Sequence, residues 1–348
     1  MIVRLNYLHI VALTVTVSSN IIPVSERCAE LFSPNKIRRL VKQTGVESLS
    51  IVRGGVCASD MCYDAAERLF AAGEAKREEI GAIIFLSQTP DYINPATSYL
   101  LQARLDLSDD VIALDVNLGC SGYVYGLYLA ATMLANMPEG RKVLLCCGDS
   151  GSSLIHPQDT STMPIMGDAG AATIIDKGMQ SKKNAYFAFN SFGKLANALK
   201  IPRGGARAVN LTENEHLSLD RDNYTVMDGM AIMDFSLTEA PRNIRELLTE
   251  AKADVDEIDL AVFHQANKII VRSLGEELGF PEEKVPWGVA RIGNSNSSSI
   301  PACLAEMKRQ GVYHGYGQVL LSGFGVGLSV ASTLLNISDL HILETKEI

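Results

Sequence analysis

A single tryptophan, few aromatics of any kind (6%) and a shortage of basic residues mark this chain of 348 residues before any motif does. Thirty-one Lys and Arg stand against 40 Asp and Glu, a net charge of -9, which argues against a nucleic-acid binder, whose affinity would rest on neutralising phosphates. The seven cysteines, at 28, 57, 62, 120, 146, 147 and 303, form no Cys-x-x-Cys pair and no Cys/His spacing of the zinc-site kind, so no metal site is predicted. Their odd number suits a reducing compartment, and the acidic balance suits a soluble cytoplasmic protein. No window holds the roughly 18 uninterrupted apolar residues of a spanning helix, so no membrane insertion is expected. Met1 to Asn20 is apolar behind Arg4, but it carries Asn6, His9 and two threonines and lacks a small-residue cleavage site. Val11, Leu13, Val15 and Val17 alternate as a strand's residues do, and the segment reads as structure rather than as a signal peptide.

What the chain does have is apolar residues, 47% of the total with 20% charged, enough for a large core and far from a disordered or fibrous composition. Strand-like and helix-like segments alternate from end to end without a low-complexity linker, which predicts an α/β architecture. The pattern also repeats. Glu79 to Phe85 (Glu-Ile-Gly-Ala-Ile-Ile-Phe) is matched about 178 positions later by Glu257 to Phe263 (Glu-Ile-Asp-Leu-Ala-Val-Phe). A predicted strand from Val111 to Val116, a turn to Gly122 and a helix from Tyr123 to Asn136 answer Val289 to Ile292, Gly293 to Ser299 and Ile300 to Gln310, which sets Cys120 opposite Ser298. Lys142 to Cys147 answers Gln318 to Ser322, and each half closes on a Gly-rich turn running into an apolar strand, from Gly167 and from Gly323. The expectation is a duplicated fold, with an N-terminal half over 1–178, a C-terminal half over 179–348, and an irregular insertion near 177–224 that contains a polar run from Asn210 to Asn223. In such folds ligands collect where strands end and helices begin.

Three residues stand at such places. Cys120, in Asp115-Val116-Asn117-Leu118-Gly119-Cys120-Ser121-Gly122, follows a strand and opens a helix, where free N–H groups would lower a thiol's pKa and small neighbours admit a substrate. A cysteine near glycine is by itself more often a packed core thiol. His264, in Phe263-His264-Gln265-Ala266-Asn267, closes a strand of the second half; one histidine alone would read as a hydrogen-bonded core residue, but three polar residues in four point to a site. Asn294 opens the turn Gly293-Asn294-Ser295-Asn296-Ser297-Ser298-Ser299-Ile300-Pro301, whose serines suit helix capping. Capping leaves unexplained why this turn occupies, in the second half, the place of Cys120 in the first.

Asp115 to Gly122, His264 to Asn267, Gly293 to Pro301 and Gly323 to Leu328, in this order and spacing, resemble the family of 3-oxoacyl-acyl-carrier-protein synthase III, the initiating ketoacyl synthases of the thiolase superfamily. Thr89-Pro90-Asp91-Tyr92 with Pro95, Gly167 to Ala171, and Met227-Asp228-Gly229 extend the resemblance over roughly residues 40 to 335. It implies a thiolase-like fold of two pseudo-symmetric βαβαβαββ halves in a layered α-β-α-β-α arrangement. It implies that Cys120 takes an acyl group from a thioester while backbone N–H groups of Cys120 and Val326 hold the oxyanion. A malonyl-type thioester would then lose carbon dioxide, its enolate held by His264 and Asn294, and the carbanion would attack acyl-Cys120 to give a 3-oxoacyl thioester. Asn267, Gly229 and Gly325 are implied substrate contacts, Asn267 along the pantetheine arm, and Asn94 is placed at the acyl pocket. No metal or organic cofactor is implied. The substrates would be acyl-coenzyme A or acyl-carrier thioesters and malonyl-carrier, the partner an acyl carrier protein, and the assembly a homodimer with Thr89 to Pro95 close to the other copy's acyl pocket.

The chain also departs from the family. Gln43-Thr44-Gly45-Val46 stands where an Arg-Thr-Gly-Ile motif is expected, with Arg39 near the place of a tryptophan that stacks on the adenine of coenzyme A. Ile269 replaces a basic residue offered to the carrier, beside Lys268, and Asn94 precedes Pro95 where an apolar side chain usually limits the pocket. These departures suggest an unusual or polar primer and a role in secondary-metabolite or surface-glycan synthesis. Alternatives are an acyltransferase of the same fold that forms an ester or amide, a thiolase, which would want a second cysteine near Ser322 or Phe324, and a non-catalytic partner subunit.

Overall fold

Alternating β-branched residues near the start of the chain do form a strand. His9–Val17 pairs antiparallel with Ala169–Asp176, and from Ala12 onward it is buried on both faces, as suits side chains that pack well on a pleated surface. The structure, a computed structural model, describes residues 1–6, 8–178, 184–205 and 221–348. Most of the polar run expected in the insertion lies outside the described residues.

Two sheets carry the fold. The first runs, in spatial order, His341–Ile342, His9–Val17, Ala169–Asp176, Lys142–Asp149, Ile80–Leu86 and Ile112–Val116, with Lys346–Glu347 also on His9–Val17. The second runs Ile2–Leu5, Ala185–Ser191, Ser329–Asn336, Gln318–Gly325 and Leu260–Phe263. In each sheet two long antiparallel strands carry a parallel strand on one side and an antiparallel one on the other. Helices Gly122–Ala135 and Ser299–Arg309 lie between the sheets. The first of these has no charged residue on any face, as suits a helix sandwiched between two sheets, with Thr132 and Ala135 its exposed residues. Ala58–Ala71 and Thr97–Arg104 cover the outside of the first sheet, and Gly229–Ala251 with Lys268–Leu278 the outside of the second. The layers are therefore α-β-α-β-α.

The repeat is imperfect in one place that matters. Val289 to Ile292, expected to be a strand, is a turn in which the N–H groups of Ile292 and Gly293 both donate to Val289 O at 3.0 and 2.8 Å. Two glycines bracket the segment, Arg291 interrupts its apolar residues, and Gly288 lies so close to Cys303 that a Cβ would meet its Cα at 2.8 Å. The second sheet therefore ends at Leu260–Phe263, and the polar turn that follows folds back against the first half, where Met166 and Asn294 form a parallel bridge. The chain ends also exchange halves. Ile2–Leu5 joins the second sheet through Ala185–Ser191, while His341–Ile342 and Lys346–Glu347 join the first through His9–Val17. Among the described residues no helix is long and apolar enough to cross a membrane.

Candidate active site

Between the two halves, at the carboxyl ends of their parallel strands, lies a cavity of about 520 Å³ that Cys120, His264 and Asn294 all line. Cys120 sits in the turn between Ile112–Val116 and Gly122–Ala135. Gly122 N donates to Gly119 O at 2.7 Å, and the Ser121 hydroxyl meets that of Ser329 at 2.8 Å, tying the turn to the second half. The end of strand Gln318–Gly325 presses directly on it: a Cβ on Gly323 would lie 2.5 Å from Cys120 O, and one on Gly325 2.7 Å from both Cβ and Sγ of Cys120. Only glycine permits this approach, and Gly325 also holds a φ of 155°.

Burial pushes the Cys120 thiol up to about 12, with hydrogen bonds from the backbone N–H groups of Val326 and of Cys120 itself drawing it down and the charge of Asp149 adding to the rise. The lowered pKa expected from the helix end is therefore not found. The helix proper starts at Gly122, two residues beyond the sulfur, and desolvation of a 7% exposed side chain outweighs its field.

His264 is carried by the residue step after Leu260–Phe263, its N–H bonded to Ser322 O at 2.7 Å. The ring stands edge-on to Phe324, centroids 5.7 Å apart, and Nδ1 shares a 2.6 Å hydrogen bond with Ser299 Oγ. Burial drives its pKa down to about 3, so the ring is neutral at physiological pH, and the nitrogen left for the cavity is Nε2. Asn294 is fixed by backbone bonds to Ile165 O at 2.7 Å and from Gly167 N at 3.0 Å. Its Oδ1 accepts from Asn296 N at 3.0 Å, which leaves its NH₂ for the cavity.

Beneath this turn lies Asp149, fully buried, which accepts from Ser297 Oγ (2.5 Å), Ser297 N (3.1 Å), Gln88 N (2.7 Å) and Ser87 Oγ (3.2 Å). Burial lifts its pKa to about 6 despite these donors. The carboxylate joins the loop after Ile80–Leu86 to the polar turn of the opposite half, the turn that carries Asn294.

Comparison with known proteins places the chain in a family. Residues 114–193 match the family of 3-oxoacyl-[acyl-carrier-protein (ACP)] synthase III, and residues 248–337 match its C-terminal part. A beta-ketoacyl-[acyl-carrier-protein] synthase III of Rhodopirellula baltica is 30% identical over 313 residues, covering 85% of this chain and 89% of that protein. The chain belongs to the 3-oxoacyl-acyl-carrier-protein synthase III family. The crystal structure of a 3-oxoacyl-(acyl-carrier protein) synthase of Burkholderia xenovorans LB400 matches with a TM-score of 0.91 at 34% identity, over 100% of this chain and 99% of that one. That of 3-oxoacyl-(acyl carrier protein) synthase III of Pseudomonas aeruginosa PAO1 matches with a TM-score of 0.82 at 26% identity, over 95% of this chain and 98% of that one. The protein is thus a ketoacyl synthase III-like condensing enzyme with a thiolase-like fold, and an acyltransferase.

In this synthase Gly325 and Val326 line the cavity with Cys120, and Gly229 and Asn267 line it too. Asn267 also caps helix Lys268–Leu278, its Oδ1 accepting from Ile270 N at 2.9 Å. Asn94 does not join them. It lies on an exposed loop beside Ile93, outside the residues that line the cavity of this single chain. The serines read as caps are not caps: Ser298 makes no side-chain bond to the helix it precedes, Ser297 bonds Asp149, and Ser299 bonds His264. Sequence reasoning missed Ser299, Asn296, Gln88 and Asp149. Their signal, polar residues in two turns that face each other across the repeat, was present without a way to pair them.

Proposed function

We propose that Cys120 is the acyl-carrying nucleophile, with His264 and Asn294 as the neutral donors that hold a malonyl-derived enolate. The observation that carries this reading is that a buried cysteine under a glycine turn and a histidine kept neutral share one cavity. In the first step Cys120 Sγ bonds the acyl carbon, the donor's C–S bond breaks, and the thiol proton ends on the departing thiol; Cys120 N–H and Val326 N–H, which already act on the sulfur, face the oxyanion. In the second step the malonyl C–C bond breaks, carbon dioxide leaves, and the negative charge settles on the thioester oxygen between His264 Nε2–H and the Asn294 amide. The carbanion attacks acyl-Cys120, the C–S bond to the enzyme breaks to release a 3-oxoacyl thioester, and the freed Cys120 thiolate takes a proton from solvent.

The Ser299 hydroxyl sets which proton His264 offers. Donating to Nδ1 at 2.6 Å, it keeps the ring proton on Nε2, where the enolate needs it. Ser299→Ala is expected to lower the rate of carbon dioxide release about tenfold, the scale of one buried hydrogen bond, with the loss confined to that step; an equal loss in acyl loading would count against this role. The same histidine argues against the ester- or amide-forming alternative, because a ring whose pKa has fallen to about 3 is a poor base towards an acceptor hydroxyl. A thiolase is disfavoured because Cys120 is the one cysteine among the described residues lining the cavity.

Outside the mouth, Arg39, Lys42, Lys268 and Arg272 surround a groove of about 510 Å³ with Gln43 and Ile269. This basic groove suits an acidic acyl carrier protein presenting its phosphopantetheine arm, and it holds no aromatic stacking face. Trp287, the single tryptophan, is turned away into the fold and donates to Gly45 O at 2.8 Å. Tyr92 (60% exposed), Ile93 (96%) and Ile112 (52%), the last on the unpaired edge strand Ile112–Val116, support a homodimer. Seven unpaired cysteines support a cytoplasmic location.

The test is direct. Protein incubated with a panel of acyl-coenzyme A and acyl-carrier thioesters should gain the acyl mass on the peptide containing Cys120, and malonyl-carrier should discharge it with release of carbon dioxide. An adduct that ignores malonyl-carrier and passes to an alcohol or amine would overturn the condensing mechanism.

A further inference from the structure

The mechanism leaves two side-chain amides beside the nucleophile without a task. Gln88 follows strand Ile80–Leu86 and lies over Gly119, so closely that a Cβ there would meet its Oε1 at 2.1 Å. Asn296 belongs to the polar turn of the second half, and its Oδ1 is 4.0 Å from Cys120 Sγ. A Cβ on Gly151 would meet its Nδ2 at 2.7 Å, so this amide occupies room that any side chain at 151 would take. Both line the cavity. Among the described residues, neither the Gln88 amide nor the Asn296 NH₂ has a hydrogen-bond partner; Gln88 is held through its backbone N, which donates to Asp149, and Asn296 through its backbone N, which donates to Asn294, its backbone O, which accepts from Ser299 N, and its Oδ1, which faces the Cys120 thiol.

Asn296 holds its place at a backbone φ of 51°, in the left-handed region. Glycine would sit there without strain, and asparagine tolerates it better than most residues. Its amide is thereby delivered to the sulfur from the same turn that delivers Asn294. Each amide offers a donor and an acceptor. A plain alkyl primer on Cys120 would cover them and return no hydrogen bond, whereas a site that bonds a substrate hydroxyl rejects the analogue lacking it far more strongly than an apolar pocket rejects an extra group.

We propose that Gln88 and Asn296 are specificity residues that select an acyl primer carrying a hydroxyl group close to the thioester carbonyl. The inference rests on the reading of Cys120 as the acyl carrier and names the substrate class of that site. It also transfers the polar character expected from Asn94 to two residues that face the nucleophile within one chain.

The experiment compares butyryl-pantetheine with 3-hydroxybutyryl-pantetheine as donors to the full-length protein, reading the Cys120 adduct by intact mass over time. The wild type should load the hydroxyacyl group at least about tenfold faster at equal sub-saturating concentration. Gln88→Met, which keeps length, and Asn296→Gly, which keeps the backbone unstrained, should each bring that ratio towards one by raising butyryl loading and lowering hydroxybutyryl loading. A wild-type ratio of one or less overturns the proposal, whether or not the variants fold, and so does a preference that both variants retain. Either result leaves Cys120 standing as the nucleophile. No adduct from either donor or from the wider thioester panel would overturn the reading of Cys120 itself, and this proposal with it.

Discussion

His264→Ala is expected to slow decarboxylation of a malonyl thioester by about 10²- to 10³-fold, the usual cost of removing one donor from a charge-stabilising pair, while Cys120 still takes up its acyl group. The split between the two steps follows from where the residue stands. His264 holds no part of the Cys120 turn; its ring is fixed by Ser299 and Phe324, and its backbone by Ser322. What it offers is one Nε2–H at the place where negative charge develops. The pH dependence separates this role from that of a base. Burial brings the His264 pKa down to about 3, so the ring stays neutral throughout the range from about pH 5 to pH 8 and the rate of carbon dioxide release should be level across it. Acyl loading should behave differently. With the Cys120 thiol pushed up to about 12, the thiolate fraction rises with pH, and loading should rise with it over the same range. A carbon dioxide release profile that climbs through an apparent pKa near 6.5 would show that His264 works as a base and would sink the neutral-donor assignment.

That contrast marks how far the sequence could be read. That Cys120, His264 and Asn294 line one cavity was legible because Cys120 and His264 follow strands, all three sit in a local setting of glycines or polar residues, and the two halves repeat. The depth at which they lie was not. A pattern near a helix start argues for a lowered thiol pKa, and only packing reveals that Gly325 and Val326 close on the sulfur and help to dry it. The pairings that hold the site were hidden for a related reason. Ser299 meets His264 across 35 residues, Ser297 meets Asp149 across 148, and Asn296 meets Cys120 across 176, so no periodicity links them. A run of serines before a helix looks like capping chemistry, and the competing use of those hydroxyls by the opposite half cannot be weighed until the halves are docked. The strand expected from Val289 to Ile292 failed because the repeat, read as symmetry, overrode two glycines that favour a turn. The crossing of the chain ends left no sequence signal at all, since a short edge strand pairs as readily with one sheet as with another.

Gly325→Ala should abolish acyl loading almost completely, by about 10²-fold or more, the cost of displacing a reacting atom by a fraction of its own radius. The added Cβ would stand 2.7 Å from both Cβ and Sγ of Cys120, and one side or the other must yield. The strand side is poorly able to do so. Gln318–Gly325 is paired residue by residue with Ser329–Asn336, Gly325 itself opposite Ser329, and Ser329 bonds both Val326 O and the Ser121 hydroxyl. Alanine would also have to adopt a φ of 155° that glycine holds freely. The remaining movement falls on Cys120, in the turn two residues before helix Gly122–Ala135, or on Val326, whose N–H already acts on the sulfur. Either shift separates nucleophile from oxyanion donors, so the loss should appear in the rate of adduct formation, with the fold retained. Intact mass after acyl-donor incubation, alongside a thermal melt, reads both. A Gly325→Ala protein that loads Cys120 at the wild-type rate would mean that this turn can move away from the sulfur, and the assignment of Val326 to the oxyanion hole would fall with it.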